Sequence, residues 1–312
     1  MQDELPTVTV AIVAHNSGKI IGRCIQSLEE QNYPKNKYDI LVVDDSKDES
    51  TIRICAEKNL KYLYAPETDT PGKARNVALN NISAEIVAFI DTDCIAPTDW
   101  LNRIVNVLRE NTDVVGVVGW FSGGRNWLQK LVNKEHVKNL KEKGITKGFL
   151  EGNCAFRTKD LNGKKFGIFK YAEGVVLSNQ LAKEGLKILT DYDLRVVHYG
   201  FSYSLRKFFR MGQAHYYNVK YYFGDRRKSN IFSIGIVVAL ILLLISPLLG
   251  PLAIVPALFG SAAFIIYAFK WHRPIPIIKI VPAYLYFIAA RWLFWIGYFT
   301  ELLRPKYKPD NQ

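Results

Sequence analysis

The chain has 312 residues, enough for one large domain or for a domain with an appendage. Its 41 lysines and arginines against 29 acids give a net charge of +12, and 49% of the residues are hydrophobic; such a basic balance suggests nucleic acid, anionic lipid or phosphorylated substrates. Cys24, Cys55, Cys94 and Cys154 are scattered, with no CxxC pair and no histidine at zinc spacing, which sets aside a zinc site and leaves buried free thiols suited to a reducing compartment.

The opening MQDELPTVTVAIVAHN carries two acids and no basic region before its apolar stretch, so it reads as a first strand and not as a signal peptide. The N-terminal part is therefore expected in the cytoplasm. Thr7 to Ala14 is a β-branched run that ends in the loop His15-Asn16-Ser17-Gly18. Lys19 to Glu30 then places Ile20, Ile21, Cys24, Ile25 and Leu28 at helical spacing. Asp39 to Val43 reads as a second buried strand ending at Asp44-Asp45-Ser46. A helix is expected over Asp48 to Glu57, a short strand over Leu60 to Ala65, and a helix over Lys73 to Asn81, opened by Pro71-Gly72.

Glu85 to Asp93, EIVAFIDTD, is the stretch with the most chemistry. A continuous apolar run that ends in turn residues predicts a strand buried on both faces. Open α/β sheets bind ligands beyond the carboxyl ends of such strands, where Asp91 and Asp93 fall. Two carboxylates one residue apart can share a divalent cation, and a cation can neutralise a diphosphate. A helix over Pro97 to Glu110 follows. Strand alternating with helix predicts an α/β fold with a mostly parallel central sheet. No GxGxxG follows the first strand and no GxxxxGK[ST] is present, so a glycine-rich nucleotide cradle is not expected.

Beyond Glu110 the pattern is less regular. Asp113 to Trp120 predicts a strand, Arg125 to Lys143 a long basic helix, and Phe149 to Arg157 (FLEGNCAFR) a loop with a small-residue centre. Glu173 to Gly185 carries Val176, Leu177 and Leu181 at helical spacing, and Asp193 to His198 predicts a strand ending at a histidine. Strand ends thus present His15-Asn16, Asp44-Asp45, Asp91-Thr92-Asp93 and His198, with Lys73 and Arg75 at a helix opening where cations meet phosphate. Hard carboxylate oxygens favour Mg²⁺ or Mn²⁺, and a histidine tilts the choice toward Mn²⁺.

The last third reads as a membrane domain. Tyr203 to Phe223 is amphipathic and aromatic, as an interfacial helix over residues 201–228 requires. Within 229–312, Ile231 to Leu249 and Leu252 to Phe269 approach the ~20 apolar residues needed to cross a bilayer, and Ile280 to Leu303 is a third candidate with Arg291 in its middle. Arg226, Arg227, Lys228, Lys270 and Arg273 flank the first two, which predicts a multi-pass protein of the cell membrane with its catalytic part, residues 1–200, on the cytoplasmic side. These greasy segments favour anionic lipid and phosphates over nucleic acid, which is not an expected partner.

VTVAIVAHNSGKIIGRCIQSLEEQNYPKNKYDILVVDDSKDEST, then PGKARNVAL, AFIDTDC and EGNCAFR, resemble in order and spacing the inverting family-2 glycosyltransferases with the GT-A nucleotide-sugar fold. The resemblance covers about residues 7 to 215 and implies a UDP- or GDP-linked sugar donor with Mn²⁺ or Mg²⁺. It implies that Asp45 contacts the nucleobase, with Ala14, His15 and Asn16 lining the same pocket. Lys73 and Arg75 lie near the nucleotide. Asp91, with Thr92 beside it, lies toward the ribose, and Asp93 toward the metal on the diphosphate. Glu151, Gly152 and Asn153 belong to a loop near the donor sugar and acceptor, and His198 completes the metal site.

One departure stands out. The family places Glu-Asp ahead of a helix of the form LSxRLxxxG, and the aspartate is the general base. Here the stretch is Ala172-Glu173-Gly174-Val175-Val176-Leu177-Ser178, with Gly174 at the aspartate position. Glu173 is the nearest carboxylate and the expected catalytic base, with Glu151 second. The expected reaction is metal-dependent transfer, with inversion, to a membrane-associated acceptor: a polyprenyl phosphate, a lipid-linked glycan or a glycolipid. The alternatives are a membrane-anchored nucleotide-sugar-binding protein with impaired catalysis, and a processive polysaccharide synthase; the QxxRW motif of such synthases is missing after the base helix.

Overall fold

A computed structural model describes residues 4–123, 145–146, 151–169, 173–199 and 205–218, with 289, 293, 296–301 and 303 near the C-terminus. Strand β1 (Val8–Ala14) pairs in parallel with β2 (Tyr38–Asp44) on one side and with β4 (Ile86–Asp91) on the other, and β3 (Lys61–Tyr64) extends the sheet beyond β2. Helices α1 (Ile21–Glu29), α2 (Ser50–Glu57) and α3 (Pro71–Asn80) make the crossovers. Thr70 caps α3 and Pro71 opens it, where a missing N–H costs nothing.

Past β4 the chain makes a two-residue strand β5 (Cys94–Ile95), helix α4 (Trp100–Glu110) and strand β6 (Val114–Ser122). Strand β7 (Ile145–Thr146), β8 (Asn153–Arg157), α5 (Glu173–Lys183) and β9 (Lys187–His198) complete the sheet, followed by α6 (Leu205–Asn218). The spatial order is β3-β2-β1-β4-β8-β6-β9-β5, with β7 on β9. Strands β3, β2, β1 and β4 run parallel to one another and β6 runs parallel to β9, whereas β8 runs antiparallel between β4 and β6, and β5 and β7 run antiparallel to β9.

The sheet is buried on both faces because apolar side chains alternate along its strands. Ile86, Ala88 and Ile90 of β4 pack with α1 and α4, while Val87 and Phe89 pack with α3 and α5. Each fully buried aliphatic or aromatic side chain contributes about 1.5–3 kcal/mol, so the sheet edge that carries the polar groups is held rigidly.

Three expectations are corrected. EGNCAFR is a strand from Asn153 onward, not a loop: Cys154 and Phe156 enter one apolar layer and Ala155 the other. The last strand begins at Lys187, not Asp193, because it pairs along β6 as well as with β5. The third concerns the membrane. Among the described residues no helix is long and apolar enough to cross one, which overturns the expected multi-pass placement.

The expected helix over Arg125 to Lys143 and the apolar stretches Ile231 to Leu249 and Leu252 to Phe269 lie outside the described residues. Helical residues 296–301, from the third apolar stretch, pack on protein: Gln213 of α6 donates to Glu301 at 2.6 Å, and Tyr216 meets Tyr298 edge to face. A Cβ on Gly297 would stand 1.9 Å from the carbonyl oxygen of Phe209, so the two segments touch backbone to backbone.

Candidate active site

The candidate groups gather at the carboxyl edge of the parallel strands. Asp91 is the last residue of β4, and the turn Thr92-Asp93 leads straight into β5. Strand β9 pairs antiparallel with β5, Cys94 opposite His198, and the Tyr199 N–H donates to the Asp93 carbonyl at 3.1 Å. That pairing places His198 Nε2 3.4 Å from Asp93 Oδ1 and 4.0 Å from Asp91 Oδ2. Phe121 stacks edge-on against the His198 ring.

Asp93, Cys94 and His198 bring ligand atoms within 4.8 Å of one another. Burial pushes the Asp93 carboxyl up, against the pull of His198, and pushes the imidazole down, against the pull of Asp93. Both groups are thus pressed toward their neutral forms, and a cation between them relieves the cost. Burial also holds the Cys94 thiol protonated, so the donor set is two carboxylates and an imidazole. Hard oxygens with one nitrogen fit Mn²⁺ or Mg²⁺.

Arg75 of α3 is 3% exposed. Its guanidinium donates to Glu173 Oε1 at 2.6 Å and to Asp91 Oδ1 at 3.0 Å, and it lies over the Phe166 ring. Burial works against its charge, but Glu173 and Asp91 outweigh burial and hold its pKa above the usual value. Arg75 therefore orients carboxylates, where the resemblance had placed it near the nucleotide. Lys73 pairs with Asp69, one helical turn away, at 2.8 Å.

The residues that the resemblance put at the nucleotide also come together. His15 Nδ1 lies 2.7 Å from Asp45 Oδ1, and the Asn16 side chain lies 3.1 Å from His15 Nε2. Asn16 has a φ of +51°, and its N–H donates to Ser46. Ala14 is buried beneath, its carbonyl accepting from the Asp45 N–H at 3.3 Å. Ser17 donates to Thr92 at 3.3 Å and so ties this loop to the aspartate turn. Asp44 is fully buried and bonded to Ser46 and Tyr62, a structural role.

The EGN segment divides its labour. A Cβ on Gly152 would lie 2.0 Å from Asp91 Oδ2, so only glycine lets the carboxylate stand there. Asn153 is fully buried, accepting from Trp100 Nε1 at 2.9 Å and donating to the carbonyls of Trp120 and Leu194. Its amide is engaged inside the protein and has no place in a sugar-binding loop. Glu151 is half-buried, and its Oε1 accepts from the Gly174 N–H at 2.7 Å.

One candidate residue escaped sequence reasoning. Lys207, on the first turn of α6, faces Asp91, Asp93, Glu151 and Glu173, and burial lowers its pKa despite those four acids. Its neighbours Arg206 and Arg210 made it look like one more charge on a polar helix face. Arg210, three residues on, shares its side of the helix, so no local signal set Lys207 apart.

A sheet edge of this kind, with a DxD turn beside the His15–Asp45 pair, is that of a GT-A-type glycosyltransferase fold. The family described as glycosyl transferase family 2 matches residues 9–166, half of the chain, and the chain belongs to it. It is 35% identical over 122 residues to the glycosyltransferase AglE of Haloferax volcanii, covering 37% of this chain and 40% of that protein. It is 29% identical over 156 residues to the beta-monoglucosyldiacylglycerol synthase of Trichormus variabilis, covering 47% and 30%. The matches thus span less than half the length of either relative. Its fold is shared with a mannosyltransferase of Pyrobaculum calidifontis determined with GDP-Man and Mn²⁺, at a TM-score of 0.65 and 21% identity over 98% of this chain and 89% of that one.

Proposed function

We propose that this glycosyltransferase is a metal-dependent inverting enzyme that moves a sugar from a nucleoside diphosphate donor to a hydroxyl on a lipid-linked glycan or a glycolipid. The observation that carries the reading is the meeting of Asp91, Asp93 and His198 under Lys207, one loop away from the His15–Asp45 pair. Bound there, Mn²⁺ or Mg²⁺ would supply charge neutralisation for the departing diphosphate. Asp91, Asp93 and His198 are the residues that would hold it.

The chain's own groups do the rest. Asp45 and His15, 2.7 Å apart, offer acceptor and donor edges to a nucleobase, with Asn16 beside them. Lys207 approaches from α6 and meets the diphosphate charge as it develops, a preorganised electrostatic contribution. Arg75 keeps Asp91 and Glu173 in fixed orientation. A single displacement at the anomeric carbon inverts its configuration. The lipid-borne acceptor is supported by the named product of the Trichormus variabilis relative.

The test is a panel of UDP- and GDP-sugars offered to the purified protein with Mn²⁺ or Mg²⁺, with and without lipid acceptor, reading nucleoside diphosphate release. Release that needs the metal, and that is lost in Asp93→Ala while the fold persists, supports the reading. Neither binding nor turnover of any donor sinks it.

A further inference from the structure

Two carboxylates stand where a general base belongs, and their surroundings are not alike. Glu173 is 5% exposed, and its Oε1 is 2.6 Å from the buried guanidinium of Arg75. A proton placed on Glu173 would strip that cation of its nearest counter-charge, and a buried charge left without its partner is strongly destabilising. Among the described residues, Glu151 has no such cation at hydrogen-bonding distance. It is half-buried, next to Gly152, whose missing side chain makes room for the Asp91 carboxylate.

The Gly174 position links the two. The family resemblance put the base at this position; here the residue has no side chain, yet its N–H donates to Glu151 Oε1 at 2.7 Å. Glu151 therefore delivers a carboxylate to the neighbourhood of position 174 from a different element, the segment before β8. Gly174 is the second residue of α5, so its N–H also brings the positive end of the helix to bear on an anionic Glu151. We propose that Glu151, not Glu173, is the general base of this enzyme, anchored through Oε1 by the Gly174 N–H and receiving the acceptor's proton on Oε2.

The inference rests on the transfer reaction proposed above. In the step, the acceptor oxygen forms its bond to the anomeric carbon as the bond from that carbon to the diphosphate oxygen breaks. The breaking pair of electrons stays on the diphosphate, and the hydroxyl proton passes to Glu151. Burial and the nearby Glu173 raise the Glu151 pKa to about 8, against the pull of Arg75, and Lys207 faces the same carboxyl. A base poised near the working pH is the efficient kind.

Three variants test it on the full-length protein: Glu151→Gln, Glu151→Asp and Glu173→Gln. Each is assayed for transfer, for binding of UDP or GDP with Mn²⁺, and for thermal unfolding. Glu151→Gln should lower kcat by about 10²–10⁴-fold, leave nucleotide binding unchanged, and abolish the acid limb of the pH–rate profile. Glu151→Asp should keep that limb at a reduced kcat, which a merely structural role would not produce. Glu173→Gln should keep the limb while losing thermal stability. A Glu151→Gln protein with near wild-type transfer overturns the assignment and points to an acceptor that arrives already ionised. A Glu151→Asp protein with wild-type kcat overturns it equally. If the unsubstituted protein neither binds nor turns over a donor, the transfer reading itself has failed, a result distinct from either.

Discussion

Arg75 and Glu173 form a buried ion pair at 2.6 Å, and the same guanidinium reaches Asp91 at 3.0 Å. One cation from α3 thus fixes a carboxylate at the end of β4 and another at the start of α5. Arg75→Ala leaves Glu173 and Asp91 without their shared cation, and breaking a buried pair costs about 3–5 kcal/mol. The expected outcome is a large fall in melting temperature, and Glu173→Gln added to Arg75→Ala should restore part of it. Thermal unfolding of both single variants and the double variant checks this; strictly additive losses would show that the pair is not coupled.

Gly152 is a second point where geometry dictates residue type. Its absent Cβ would sit 2.0 Å from Asp91 Oδ2, so Gly152→Ala must displace that carboxylate. Misplacing a site group by about 1 Å can cost ~10²-fold in rate. Gly152→Ala should therefore lose turnover on that scale while its circular dichroism stays native. Wild-type turnover in the variant would mean that Asp91 has room to move without consequence.

The parts of the site that the amino-acid order made legible are those set by local pattern. EIVAFI announces a buried strand, so Asp91 and Asp93 had to emerge at its end, and TVTVAIVA and DILVV did the same for His15 and Asp45. What stayed illegible depends on partners far along the chain. Glu173 looks like the nearer base until Arg75, 98 residues away, is seen to hold it. Asn153 sits in a loop-like sequence of small residues, yet two carbonyls and an indole from separate elements take up its amide. Its strand went unread because a buried strand with Cys154 and Phe156 on one side and Ala155 on the other lacks the polar alternation that marks a half-exposed one.

Lys207 is the cation of α6 that faces the four carboxylates. Charge-assisted contacts of this kind are worth about 1.5–3 kcal/mol. Lys207→Met should therefore raise the donor KM by about 10–100-fold, and Lys207→Arg should recover most of the loss. Steady-state kinetics with the identified donor reads the outcome. An unchanged KM and kcat would take α6 out of the donor site.

Glu151 makes a pH-dependent prediction that needs neither donor nor metal. Its ordinary carboxyl value is 4.5, and in the folded protein burial and Glu173 raise it to about 8. Between those values the folded protein holds a proton that the unfolded chain has released. Stability therefore falls as pH rises through that window, and the loss is complete above the folded value. Arg75 and Lys207 face the same carboxyl and moderate the fall without reversing its sign. Glu151→Gln cannot ionise, so its contribution is flat. The melting temperature of the metal-free wild type should decline more steeply than that of the variant on going from acid pH to above 8, with the variant the more stable at the alkaline end. Parallel curves would show that Glu151 is ionised throughout, and a base ionised at every working pH would produce no acid limb in the rate profile.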